Sequence, residues 1–156
     1  GVAIAKANPQ AQIYGQDWRS VLTVSLESAR SQGVSDRYHT IPGDAFEVDL
    51  GTGYDLVLLP NFLHHFDHPT NVTLLKRVRA VLKPGGRVAT VEFVPNEDRV
   101  TPPMSAAFSM MMLGSTEAGD AYTFKELEAM FRDAGFSRST QQELPPSPQT
   151  LVLSEY

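Results

Sequence analysis

Between positions 64 and 68 the sequence sets His64, His65, Asp67 and His68, and a further acid, Glu92, stands in a valine-rich run downstream. An imidazole titrates near neutrality, so His64 is suited to take a proton from a hydroxyl group. A glutamate at the end of a buried strand tolerates its position only with a partner. The histidines and Asp67 also admit a metal reading. Adjacent histidines rarely converge on one ion and no H-E-x-x-H pair is present, so no metal is expected. Asp17 and Asp44 each follow a short strand-like run. An acid in the place of Asp17 can accept two hydrogen bonds from a ribose diol, or else remain a solvated carboxylate near the next helix start. Asp44, beside Gly43, also suits an Asx-turn.

The stretch Tyr54 to Glu92 must position this chemistry. Tyr54 to Leu59 is an unbroken apolar run that suits a strand buried on both faces of a parallel sheet, and Arg87 to Val94 is a second such run. Between them Val72, Leu75, Val78 and Leu82 recur at helical spacing, and Lys83, Pro84 and Gly85 read as the stop. Two parallel strands joined by a helix bring the loop after Leu59 and the end of the second strand to one sheet edge, where such sheets bind ligands. Asp17, Asp44, His64 and Glu92 are expected together on that carboxyl edge.

Around this unit the chain reads in order as alternating elements. Residues 1–8 look like the last turns of a helix, 11–18 like a strand ending in an acid, and Val21 to Ala29 like a helix stopped by Gly33. Tyr38 to Pro42 is a third short strand. After the loop 95–103, Met104 to Leu113 resumes as an apolar helix, and Thr123 with Glu126 forms a capping box that starts another. Met104, Met110, Met111 and Met112 with Phe108 suit either core or a pocket for a flat ligand, with one or two expected in each role. Two final strand-like runs, 136–144 and 149–155, form an antiparallel pair.

Composition narrows the class. The 156 residues are 42% hydrophobic, enough for one ordinary core, so a single domain over 1–156 is expected. A formal charge of -5 argues against nucleic acid, whose phosphates are held by clustered Lys and Arg. Without cysteine there is neither a disulfide framework nor a thiolate metal site, and no apolar run approaches the ~18 residues of a membrane span. A cytoplasmic, non-membrane protein is the expectation.

The loop NFLHHF after one strand and LKPGG before the next resemble the core of the class I S-adenosylmethionine-dependent methyltransferases. The fuller run through VEFVPNEDR and GDAYTFKELEAMFRDAGF is similar to the small-molecule O-methyltransferases of bacteria and plants. This resemblance implies a Rossmann-like α/β three-layer sandwich, mostly parallel, ending in an antiparallel hairpin. It also implies a first strand and a glycine-rich turn ahead of Gly1, so that the second and fourth family strands, 11–18 and 54–59, keep unpaired edges. S-adenosyl-L-methionine would be held by Gly1, Asp17, Trp18, Asp44, Ala45, Phe46 and Asn61, with Asp17 on the ribose and Asp44 on the adenine amine. His64 would be the base, Glu92 its orienting acid, and Phe108, Met111 and Met112 would line the site of a small-molecule methyl acceptor. The family's second acid falls near Ala121, which cannot act, with Asp120 adjacent. A homodimer of the full-length protein is a further implication. Competing readings are a C- or N-methyltransferase, a nicotinamide-linked oxidoreductase, and a non-catalytic fragment or binding module.

Overall fold

Strand-forming runs and helix-forming runs alternate along this chain, and the computed structural model, which describes residues 1–156, folds them in two compact units, Gly1–Gly51 and Thr52–Tyr156. In the first unit α1 (Val2–Ala7) leads into β1 (Ile13–Asp17), α2 (Arg19–Ser31) and β2 (Tyr38–Pro42). β1 and β2 pair in parallel, Ile13 opposite Tyr38 and Asp17 opposite Pro42. Its core is small: Ala5, Ala29 and Val34, with Val2, Ile13 and Tyr38 packed against them. The Arg37 guanidinium donates from Nη1 to the carbonyls of Ala5, Asn8 and Ala11 at 3.0, 3.2 and 3.1 Å. A cation there satisfies carbonyls left over at the end of α1.

The second unit holds β3 (Tyr54–Pro60), α3 (His68–Val81), β4 (Leu82–Glu92), α4 (Pro103–Ser115), α5 (Phe124–Asp133), β5 (Arg138–Glu143) and β6 (Thr150–Glu155). Its strands run in the order β3-β4-β6-β5. β3 and β4 are parallel, and the C-terminal hairpin adds two antiparallel pairings, β4 with β6 and β6 with β5. The strands thus lie in two hydrogen-bonded sheets, not one. Asp17 and Asp44 end or follow parallel strands of the first sheet, His64 and Glu92 those of the second.

Several local expectations change. β3 is an edge strand, and Leu56 and Leu58 are 42% and 40% exposed, so it is not buried on both faces. α3 stops at Val81, not at Lys83 to Gly85, because Leu82 is already extended (ψ 148) and enters β4 directly. Gly85 then takes a positive φ of 78 within β4. The buried stripe of α3 is Asn71, Leu74, Leu75 and Val78, a slight rotation from the expected face. Thr123 and Glu126 form the capping box of α5, whose buried residues Leu127, Met130 and Phe131 follow the expected face. Of the α4 methionines only Met112 joins the core; Met104, Met110 and Met111 are exposed. No helix is long and apolar enough to cross a membrane.

Candidate functional site

β3 ends at Pro60, and Asn61 follows in a left-handed backbone conformation (φ 52), its amide donating to Val91 O at 2.9 Å. This turn sends the chain back across the end of β4, where Glu92 waits. The Glu92 Oε1 accepts from the amides of Phe62 and Leu63, both at 2.9 Å, and Oε2 lies 2.6 Å from His64 Nδ1. Both side chains are buried, His64 at 5% and Glu92 at 3% exposure. The physical logic is mutual. A buried carboxylate must be paired or hydrogen-bonded, and three donors converge on this one. Toward an ionised carboxylate a neutral imidazole donates from Nδ1, which leaves Nε2 its lone pair. The pair therefore holds the imidazole ring in place through Nδ1.

The loop is secured from other sides. Asn71, fully buried on α3, donates from Nδ2 to Leu63 O at 2.9 Å and Phe66 O at 3.1 Å. Tyr122 donates its hydroxyl to Phe66 O at 2.5 Å. Burial, and after it the nearby Asp120, Asp67 and Glu126, push the Tyr122 hydroxyl up to about 12, so it remains a donor. Phe108 from α4 meets the His64 ring edge-on with centroids 4.8 Å apart, and Phe93 stacks on Phe108 at 4.3 Å. These rings make an apolar wall beside the imidazole.

The other candidates in this unit separate. His65 is exposed and its ring lies 4.3 Å from that of His64. Partial desolvation, then the His64 neighbour, hold its imidazole below the usual range, against the opposing pull of Glu92. His68 pairs with Asp133 at 3.1 Å, and Asp67 caps α3 by accepting from Thr70 N at 2.9 Å. With their side chains engaged elsewhere, no three His, Cys, Asp or Glu side chains gather to hold a metal ion. Ala121 is buried, and Asp120 turns to Arg99 at 2.7 Å and to the Ser109 hydroxyl. Neither of the two acts as a second acid on His64. Asn61 accepts from the Gln149 side chain. Met111 is 61% exposed and Met112 only 6%.

In the first unit, Asp17 ends β1 with Oδ1 accepting from Trp18 N at 2.7 Å, and Trp18 stands 60% exposed beside it. Asp44 closes an Asx-turn, Oδ1 accepting from Phe46 N at 2.8 Å. Asp17, Asp44, Ala45 and Phe46 are half-buried, and each carboxylate keeps one oxygen outside these local bonds. Gly1 caps α1 and is exposed, its backbone close against Ile13. Sequence reasoning missed Asn71, Tyr122, Phe93 and the two loop amides. Of these only Asn71 left a signal, as the polar member of an apolar stripe at helical spacing.

A model of the O-methyltransferase domain matches residues 2–137. The S-adenosyl-L-methionine-dependent methyl transferase PigF of a Serratia species is 33% identical over 155 residues, 99% of this chain and 44% of that protein. A structure of PigF with SAH has a TM-score of 0.87 at 30% identity, covering 99% of this chain and 46% of the other. The 3-hydroxy-5-methyl-1-naphthoate 3-O-methyltransferase of Streptomyces sahachiroi is 31% identical over 136 residues, 87% of this chain and 39% of that protein. The crystal structure of a candidate O-methyltransferase from Nostoc punctiforme has a TM-score of 0.98 at 54% identity, covering 100% of this chain and 48% of its own. The chain thus spans less than half the length of the relatives it matches, and its fold is the Rossmann-like α/β fold of these methyltransferases.

Proposed function

Because this chain belongs to the O-methyltransferase domain family, we propose that its protein methylates a hydroxyl oxygen of a small aromatic or polyketide-like molecule, with S-adenosylmethionine as methyl donor and His64 as base. One observation carries the choice of oxygen: Glu92, locked by the Phe62 and Leu63 amides, holds His64 by Nδ1 and leaves Nε2 to take a proton. A neutral amine acceptor, with a lone pair of its own, needs such a base less.

Bound S-adenosylmethionine supplies a methyl group on a positively charged sulfur, open to in-line attack. Asp17 is suited to its ribose diol and Asp44 to its adenine amine, each with a carboxylate oxygen beyond its local hydrogen bond. Trp18 offers an exposed ring, and Ala45 and Phe46 a half-buried apolar cover. Gly1 and Asn61 belong to the same reading of the cofactor's bed.

In the acceptor step, His64 Nε2 would take the hydroxyl proton as the acceptor oxygen displaces the methyl group from sulfur, which would keep the bonding pair. The imidazolium so formed is stabilised by the Glu92 carboxylate at Nδ1, already in place before the reaction. Phe108, Met111 and Met112 are the acceptor-side residues of this proposal, and the stacked Phe93 extends the wall. A cytoplasmic homodimer is part of the same reading, and sedimentation of the full-length protein checks the dimer.

The test is methyl transfer from labelled S-adenosylmethionine by the full-length protein to a panel of phenols and hydroxylated polyketides. Product bearing an O-methyl group is expected. Products methylated only at carbon or nitrogen would overturn the oxygen assignment.

A further inference from the structure

The His64 loop is also gripped on a side that the proton-transfer pair does not explain. Residues 116–122 connect α4 to α5 and lie against the His64–His65 backbone. A Cβ added at Gly119 would overlap the His64 carbonyl oxygen and come within 3.1 Å of the His65 carbonyl carbon. Gly119 does not have the positive φ of Gly33, Gly43, Gly51, Gly53, Gly85 and Gly135. What excludes a side chain at 119 is therefore space, not backbone freedom.

This segment is fastened at three points. At its start Thr116 Oγ1 donates to Met112 O and accepts from Gly119 N, both at 2.8 Å. In its middle Asp120 accepts from Arg99 Nη1 at 2.7 Å and from the Ser109 hydroxyl of α4. At its end Tyr122 donates to Phe66 O at 2.5 Å, on the His64 loop itself. Arg99 completes the fastening by donating from Nη2 to both Glu126 oxygens of α5, at 2.6 and 2.7 Å.

Arg99 is itself over-determined. Its φ of 54 is left-handed, which a non-glycine residue keeps only where its surroundings impose it. Here Asp98 Oδ1 accepts from the Val100 and Thr101 amides at 2.9 Å each, and Asn96 N donates to Thr101 O at 2.6 Å. An isolated exposed ion pair holds little orientation. One guanidinium shared by two carboxylates, Asp120 on this segment and Glu126 on α5, holds far more, because its planar fork fixes both.

Resting on the reading of His64 as base, we infer that residues 116–122 form a strap that sets the orientation of the His64 ring, with Gly119 and Asp120 as positioning residues. Glu92 fixes the ring through Nδ1, and the strap fixes the backbone that carries it. A displacement of about 1 Å at such a group can cost on the order of 10²-fold in rate.

The experiment uses the full-length protein and two variants, Gly119→Ala and Asp120→Asn, each read by the proton resonance of His64 Nδ1–H and by turnover. The 2.6 Å bond to Glu92 should place that resonance far downfield. In Gly119→Ala the resonance should move or broaden and kcat should fall about 10²-fold, while affinity for S-adenosylmethionine is unchanged. Asp120→Asn should move both in the same direction by less. A resonance unmoved in Asp120→Asn removes Asp120 from the strap, and one unmoved in both variants overturns the inference. If Gly119→Ala does not fold, Asp120→Asn decides alone. If the resonance moves and turnover does not, the strap stands and the assignment of His64 as base falls.

Discussion

Asp17 and Asp44 in the first unit and His64 and Glu92 in the second are all polar groups at the carboxyl ends of parallel strands, yet they are held in opposite ways. The first pair is half-buried, and each acid makes one bond to a backbone amide one or two residues ahead. The second pair is buried, bonded to each other, and tied to backbone across thirty positions of sequence, Phe62 to Glu92. The difference matches the roles proposed for each set. A group that must meet a ligand keeps contact with water and spare acceptor capacity. A group that must move a proton gains from orientation fixed in advance, which is where catalytic advantage over water arises.

The largest expected effect falls on the second pair. His64→Ala in the full-length protein should lower turnover by roughly 10²- to 10⁴-fold, the usual cost of a lost base, with affinity for S-adenosylmethionine nearly unchanged. Steady-state kinetics beside calorimetric titration measures both, and full turnover in the variant would erase the contrast between the pairs. Glu92→Gln comes next. It keeps an acceptor for the loop amides but removes the charge that stabilises the imidazolium, so a loss of about 10²-fold in kcat is expected. The same variant should also melt earlier, since the loop loses an ionic anchor.

For the first pair the expected change lies in binding. Asp17→Ala should weaken S-adenosylmethionine by at least about tenfold, as charged hydrogen bonds are worth about 1.5–3 kcal/mol. At saturating cofactor its kcat should match the parent. A variant with normal affinity and reduced kcat would reverse the roles assigned to the two regions.

Smaller still is the capping box of α5. Thr123→Ala should cost about 1 kcal/mol of stability at neutral pH. Burial tends to raise the Glu126 pKa, but hydrogen bonds from Thr123 and Arg99 outweigh it and lower the value. A folded-state pKa below the unfolded one makes a contribution that is full above the ordinary carboxylate value of about 4.3 and is lost as pH falls through the folded value. Thermal unfolding at pH 7 and pH 3 should therefore show the gap between parent and variant narrowing in acid. The smallest effect is expected at His65: His65→Ala should leave turnover close to normal, and NMR titration should find the His65 imidazole below the usual range, as its partial desolvation requires.

Much of this organisation was legible in the residues alone because it depends on local periodicity and end signals. β2 at Tyr38–Pro42, the start of α5 at its capping box, and the parallel β3–α3–β4 unit all follow from patterns a few residues long. The candidate pair was legible too, since His64 and Glu92 stand at the ends of runs that parallel pairing brings to one edge. The exposure of Met104, Met110 and Met111 was not legible because hydrophobicity says that a side chain prefers cover, not whether another element supplies it. β3 was misjudged for the same reason: an apolar run tells what a strand could bury on both faces, and its neighbours decide how much it does.

What the sequence by itself determined is the set of elements, their order, and which polar groups fall at strand ends, because these rest on spacing within a turn or a pleat. Only the tertiary structure decided that Glu92 takes two loop amides as well as His64, that Asn71 reaches back to the same loop, and that Asp120 turns to Arg99 instead of the base. Those choices join residues far apart in sequence. They depend on which donor lies within about 3 Å of which acceptor, a distance that no local pattern encodes.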